Sequence, residues 1–237
     1  MATLALLDAT VFVEGYDFTS DLNEVGLDVS FEELDDTTFG DDSRSRIAGL
    51  GDVEMTMNGW WQSETSNPVD LQAAANFATS AVATVSPDGT DGSLAYFARR
   101  LSAMYSMGGK IGEVMPFNVS AKGSDGIGAV RGQLLLPKTT VTGDSNGTGV
   151  QLGAVASTQS LYTAIHVLSA GTTADVIVES DDNGSFTSAT TRSSTTVIAQ
   201  GGTWVTAVAG AITDDYWRVR TANVTGTFSI AVAVGIR

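Results

Sequence analysis

Between Glu24 and Trp61, apolar and polar residues alternate twice, on either side of a long charged stretch. Val25, Leu27, Val29 and Phe31 alternate with Gly26, Asp28, Ser30 and Glu32; further on, Val53, Met55 and Met57 alternate with Glu54, Thr56 and Asn58. A period of two puts one face on a core and the other in water, so the pattern predicts two half-buried strands. The connection between them, roughly residues 33 to 52, far exceeds the about two to five residues that close an ordinary hairpin. It carries Thr37-Thr38-Phe39-Gly40-Asp41 and Arg44-Ser45-Arg46-Ile47-Ala48-Gly49-Leu50, which is too apolar for a disordered tail. We therefore expect a contact arm that becomes ordered against a partner.

The remaining elements follow in chain order. Leu4–Val13 and Glu14–Asn23 fit either strands or an arm lying on a neighbour. One helix is predicted over 67–78: Asn67 can cap it, Pro68 suits its first turn and Asp70 complements its dipole. Leu71, Ala74, Ala75 and Ala78 share a face that should pack on the sheet. Pro87-Asp88-Gly89-Thr90-Asp91-Gly92 is dense turn chemistry. Leu94–Met107 fits helix or strand, and its β-friendly residues before Gly108-Gly109 favour the strand. Glu113–Ala121 and Ile127–Leu136 then read as a strand pair around Lys122–Gly126.

Pro137 and the run TTVTGDSNGTG look like a linker, which divides the chain into a first domain (1–140), a linker (141–149) and a second domain (150–237). The second half predicts strands over 161–168, 175–179, 195–199, 204–208, 216–223 and 227–236, separated by turns at sandwich-like spacing. Trp217 and Val219 face inward there, and Arg218 and Arg220 outward. The two halves also invite comparison as a degenerate repeat, with 161–180 as a shortened counterpart of 24–61 in which Gly171 replaces the long loop. The fold class expected is mainly β: two small β-sandwich or barrel domains, with one short helix in the first.

Charge and composition narrow the function. The formal net charge is −15, and from Asp8 to Glu54 fourteen carboxylates are opposed only by Arg44 and Arg46. Such a surface does not grip nucleic acid or anionic lipid, both of which call for Lys and Arg; it suits solubility, or a wall that nucleic acid slides past. No apolar run approaches the ~20 residues that span a bilayer. The start, MATLALLDAT, lacks the basic segment of a signal peptide, and the chain has no cysteine, so use in a cytoplasm is expected. The Asn-x-Ser/Thr triplets at Asn118, Asn146 and Asn223 are then not glycan sites.

Catalytic chemistry finds little footing. His166 is the only histidine and sits mid-strand, as a packed residue does. Without cysteine, and with one histidine, zinc sites and Ser-His or Cys-His nucleophiles are excluded. Glu179–Gly184 resembles the first half of a calcium loop, but its twelfth position is Thr190 rather than Glu, so turn chemistry explains it better. No phosphate-binding glycine motif follows a strand and opens a helix. We expect no enzyme activity, no cofactor and no metal.

At this point the chain resembles a known family. Asp21-Leu22-Asn23 through Phe31, then Asp36-Thr37-Thr38-Phe39-Gly40-Asp41, Arg46-Ile47-Ala48-Gly49-Leu50 and a Val-x-Met-x-Met strand are similar to the major tail, or tail tube, protein of long-tailed bacteriophages. The ending, Gly149–Val155 through Tyr216–Val219 to Ala231–Ile236, is similar to the C-terminal half of some of these proteins. The resemblance implies subunits that ring up edge to edge into a β-lined tube, in a virion tail assembled in the host cytoplasm. It also implies that the 33–52 loop reaches the next ring. Thr38, Phe39, Asp41, Arg44, Arg46, Ile47 and Leu50 would then be its contact residues, the apolar ones buried and the two arginines paired with an acidic rim.

The implied partners are other copies of the chain, as a trimer of two-domain subunits or a hexamer, together with tape-measure, tail-terminator and baseplate proteins. Viral DNA would pass through the lumen without specific binding, and no membrane is involved. The repeat of strand order favours the trimer. A competing expectation is a capsid decoration or carbohydrate-binding adhesin that uses Trp60, Trp61, Trp204 and Trp217.

Overall fold

The computed structural model describes residues 9–62 and 68–237. Its strands are β1 (Thr10–Val13), β2 (Tyr16–Asp17), β3 (Leu22–Asp35) and β4 (Arg46–Trp60), followed by helix α1 (Pro68–Asn76). Next come β5 (Ser80–Ser86), β6 (Leu94–Met107), β7 (Pro116–Gly123), β8 (Val130–Val141), β9 (Ser145–Asn146) and β10 (Val150–Gln151). The chain ends with β11 (Ser160–Ser169), β12 (Thr173–Asp181), β13 (Thr190–Val197), β14 (Gly201–Ala209), β15 (Tyr216–Thr225) and β16 (Phe228–Ile236). The protein is mainly β, with curled antiparallel sheets of sandwich and barrel-like form and, among the described residues, one short helix. No helix among the described residues is long and apolar enough to cross a membrane.

The alternation of the first half builds the meander β3–β4–β7–β6. Met55, Met57, Phe117 and Val119 point from it into a core shared with Val11, Val13, Phe18, Ala83 and Val85, and Val25 and Leu27 pack on the same side. The strands run much further than the apolar alternation indicates. β3 and β4 stay paired from Leu22–Gly59 out to Asp35–Arg46, so only residues 36–45 lie outside the strands. The predicted long connection is therefore mostly a two-stranded ladder.

Two local expectations need correction. Helix α1 buries Val69, Gln72 and Ala73, not the Leu71–Ala74–Ala75–Ala78 face, and Leu71 is exposed. Three alanines offer little area, whereas Val69 with the residues three and four places on forms an equally regular stripe that buries a branched side chain. The proposed cap, Asn67, lies outside the described residues, as do Leu4–Asp8 of the first apolar segment. The second correction concerns β7 and β8, which do not pair with each other. Both lie against β6, β7 along residues 100–107 and β8 along 94–97. A 14-residue strand has room for both, and the intervening loop turns through Gly126 and Gly128, each at positive φ (71° and 77°).

In the second half, β10–β15–β12–β13 forms a sheet of its own, with β9 also on β15. It faces β11 and β16 across a core of Val176, Val178, Trp217, Val219, Phe228, Ile230 and Val232. The strands flanking Gly171, β11 and β12, fall in different sheets, so this turn is a corner rather than a shortened hairpin. β16 pairs with β8 as well as β11, which carries one sheet through from β14 to β2. Its second face, Ala231 and Ala233, is consequently buried with Phe12, Phe97, Val130 and Leu134. Thr139–Val141 end β8 on β16, and Ser145–Asn146 pair with Thr221 and Arg220.

A polar knot fastens this junction. Glu14, held at positive φ (52°), accepts hydrogen bonds from the amides of Val82 (2.6 Å) and Gly202 (2.8 Å) through its carboxylate. His166 Nδ1 lies 2.8 Å from the Glu14 carbonyl and Nε2 lies 2.8 Å from Thr84 Oγ1. A carbonyl only accepts, so Nδ1 carries the proton and Nε2 accepts from the threonine. The lone histidine is thus a packed, fully satisfied residue.

Candidate functional site

The feature that stands out is a sheet that stops without closing. Among the described residues β3 pairs with β4 alone, which leaves its other edge open along fourteen residues. At the far side of the meander, β5 accompanies β6 only as far as Leu101, so among the described residues Ser102–Met107 present a second open edge. Each such edge is a row of unpaired backbone groups, which soluble proteins ordinarily keep short, cover or pair. A bulge between Ser102 and Met104 leaves Ala103 outside the β7 register.

The two faces of the meander differ sharply. One lies on the core; the other is polar and solvent-facing. Along that face Asn58 Nδ2 donates to Glu24 (2.9 Å), Asn118 Nδ2 donates to Asn58 Oδ1 (2.5 Å), and Ser120 Oγ donates to Glu54 (3.1 Å). Lys122 lies 3.6 Å from Asp52 and 4.0 Å from Glu54. The register aligns Asp28 with Glu54 and Ser30 with Asp52, so four carboxylates share the face with one lysine.

Beyond this sheet stands the hairpin arm. β7 accompanies β4 back to Glu54, so residues 46–52 pair with β3 alone and carry the hairpin on by about 20 Å at the rise of a strand. The core-side apolar row continues out along the arm as Val29, Phe31, Leu34 and Ile47, all exposed. The tip is pinned by its own polar groups. The Thr38 amide donates to Asp41 Oδ2 (2.7 Å), and Thr37 Oγ1 both donates to the Ser45 carbonyl and accepts from its amide (3.3 and 2.9 Å).

All seven residues singled out from the sequence lie on this arm. Thr38, Phe39, Asp41 and Arg44 form the tip, and Arg46, Ile47 and Leu50 belong to β4. Phe39 is fully exposed and Leu50 82% exposed; Arg46 lies 3.6 Å from Glu33 within the arm itself. The open edge of β6 was missed, because a strand's pattern tells which face is buried but not which neighbours it has.

Other candidates disperse. Trp217 is buried and donates to the Gly153 carbonyl (2.8 Å), Trp204 packs on Phe97 and Tyr162, Trp61 borders the first core, and Trp60 is half exposed. The four tryptophans therefore serve separate clusters and line no common surface. In the calcium-like loop, Asp181 accepts from the Asn183 and Ser188 amides (3.2 and 2.8 Å), as a turn requires. No group of three or more His, Asp or Glu among the described residues could hold a metal ion.

Sequence reasoning also passed over a buried ionic cluster. Glu179 accepts from Arg218 (2.8 Å) and Arg220 (2.8 Å), and the Arg218 guanidinium covers the Phe186 ring at 4.3 Å. Burial raises the Glu179 pKa, but the hydrogen bonds and charges of Arg220 and Arg218 outweigh it and hold the carboxyl below its ordinary range. The alternation of Arg218 and Arg220 with Trp217 and Val219 along β15 is the one signal that could have located the cluster.

Comparison with known proteins adds the following. No family model and no curated protein matches the chain. Among solved structures, it is similar to a chain of the virion of a native gene transfer agent particle, with 11% identity and a TM-score of 0.42, over 50% of this chain and 92% of that one. It is similar to a chain of the sheath–tube complex of an extracellular contractile injection system in its extended state, with 10% identity and a TM-score of 0.44, over 55% and 92%. It is also similar to the Dit protein of phage SPP1, with 14% identity and a TM-score of 0.39, over 97% and 99%.

Proposed function

We propose that this chain is a structural protein of a phage-type virion tail, whose copies join edge to edge into rings that stack into a DNA conduit. The observation that carries the reading is the meander with two open edges, β3 on one side and Ser102–Met107 on the other. Two different edges on one chain pair head to tail, and a head-to-tail contact closes into a ring when its rotation permits. Closure also removes both edges. The polar face, with Glu24, Asp28, Asp52 and Glu54, then lines the channel, where its charge repels phosphates instead of holding them.

Size favours six chains over three. Strands about 4.8 Å apart and tilted by about 40° give a 12-stranded barrel of roughly 25 Å and a 24-stranded one of roughly 50 Å between backbones. Side chains remove about 5 Å on each side. The smaller channel is too narrow for a duplex about 20 Å wide, whose grooves alone are about 8 Å deep. Three chains would reach 24 strands only if the second half supplied an equivalent open sheet. Its separate sheet ends on one side in β9 and β10, two residues each, so it offers no long second edge. We therefore assign residues 1–140 to the tube wall and 150–237 to a unit on its outside, fixed by the shared strands β8 and β16.

Electron microscopy of the wild-type chain beside Ala103→Pro tests this. Proline at a bulge on an open edge is compatible with the folded subunit but removes a donor from the joint. Hollow rings or tubes from the wild type, and folded monomers from the variant, support the reading. Compact particles of one size from both would discard it.

A further inference from the structure

Beneath each open edge of the meander, on the core side, lies a feature that the subunit leaves unused. Helix α1 runs along the open stretch of β6. At its start Tyr105 Oη donates to Asp70 Oδ1 (3.1 Å), and just past its end the chain enters β5, where Ser80 pairs with Leu101. Phe77 follows the last helical residue, with its amide bonded to the Ala73 carbonyl (3.1 Å), and its side chain is 48% exposed. It shares a helical stripe with Asp70 and the exposed Ala74. Under β3 and β4 lies a pocket of about 190 Å³, lined by Val29, Phe31, Val53, Ile127 and Arg237. Val29 and Phe31 are more than half exposed. Arg237 donates to the Ala129 carbonyl (3.1 Å) and forms no ion pair among the described residues. Asp52, also on the lining, is turned towards Lys122 (3.6 Å).

We infer that this pocket seats Phe77 of the adjacent copy in the same ring, so that the joint is strand on strand above and helix on sheet below. The inference rests on the ring reading above and deepens it. Direction comes first. β3, β4, β7 and β6 are antiparallel in turn, and rotation about a ring axis keeps each strand's sense, so β6 meets the next β3 antiparallel and the core sides join. Height follows from tilt. Tyr105, Val119, Met57 and Val25 lie on one line across the strands of a single meander. Strands about 4.8 Å apart and tilted by about 40° shift such a line by about 1.2 residues per strand, or about five on reaching the next β3. Opposite residues share a face, so the shift is even; at about four it sets Tyr105 beside Val29 and Ser102 beside Phe31, with Ala103 bulged out as it is against β7. The opposite sense would carry Tyr105 past Leu22, where β3 begins, and leave the edge unpaired. Phe77 stands about 10 Å along α1 from Asp70, near the level of Ser102, and so arrives at Phe31 and the pocket. The pocket fits that occupant. It is smaller than the roughly 300–1,000 Å³ of small-molecule sites, its walls are apolar, and its unpaired cation suits the face of an aromatic ring.

Phe77→Glu, at a half-exposed position, should keep the wild-type circular dichroism and lose the rings seen by electron microscopy, while Phe77→Leu should retain them. The chain has no cysteine, so a Phe31→Cys, Phe77→Cys double variant should give a ladder of disulfide-linked multimers on oxidation, and a Phe31→Cys, Ile198→Cys pair should not. Within one chain β3 and β6 stand about 14 Å apart across β4 and β7, beyond the about 7 Å that a disulfide bridges, so the ladder reports contact between copies. Should Phe77→Glu fail to fold, the ladder decides: its absence from a ring-forming double variant overturns the seat. Rings from Phe77→Glu as abundant as those of the wild type would also overturn it, while the ring reading stands. A wild-type chain that forms no ring would remove the ring reading and the seat with it.

Discussion

His166 shows how a residue type that usually suggests chemistry can be structural. Burial drives its pKa down to about 4, against a smaller upward pull from the Glu14 carbonyl. The unfolded chain takes up this proton near the ordinary value of about 6.5, so between those two values the unfolded state holds more protons than the folded one. Stability is therefore full above about pH 6.5 and declines as pH falls towards 4, by at most about 3 kcal/mol. Asp21, whose pKa is raised by burial and by the charge of Asp17, titrates in the opposite sense and offsets part of this. Denaturant midpoints measured from pH 7 to 4.5 should fall for the wild type and much less for His166→Gln; equal slopes would refute the assignment. At Glu179, removing the carboxylate strands two arginines, both partly exposed, so the penalty lies below that of a fully buried pair. Glu179→Ala should cost about 2 kcal/mol, a fall in Tm of roughly 4–8 °C in a chain of this size, and an unchanged Tm would show that water replaces the pair freely.

At the scale of elements, the arm and the edges carry the account. Replacing residues 36–45 by a two-residue Asn-Gly turn shortens the arm but keeps its ladder, and type I′ turns suit such hairpins. The variant should fold with unchanged circular dichroism and form rings that no longer stack. Loss of folding would mean that the arm supports its own subunit. Much of this level was legible in the sequence. Val25–Phe31 and Val53–Met57 gave the two strands, but of the first row only Val25 and Leu27 reach the core while Val29 and Phe31 stand exposed on the arm; the Leu94–Met107 strand is β6 to the residue. Other parts were not, for physical reasons. Glu32, Glu33 and Asp35 break the alternation, yet their backbones keep pairing, since a ladder in solvent needs no apolar side chain. Val69 outweighs three alanines in choosing the helix face, a matter of area rather than period. The neighbours of β6, β8 and β16 depend on contacts far apart in sequence, so local pattern could place the strands without showing which edges stay open.

For the whole molecule, the shared strands β8 and β16 matter most. They make the two halves one body along a continuous sheet, so the second half holds a fixed position relative to the open meander. Phe39 and its neighbours were legible as an arm, whereas the open edge of β6 was not, because it exists only where β5 stops short of Ser102–Met107, which folding alone decides. A ring built this way has an acidic bore, and added salt should screen the repulsion between neighbouring meanders and promote assembly. The most direct test of the central claim is the number of chains in an isolated ring, counted by native mass spectrometry of the Phe39→Asp variant, which should ring without stacking. The account predicts six chains. A ring of three, or a protein that stays monomeric at every concentration, would contradict it.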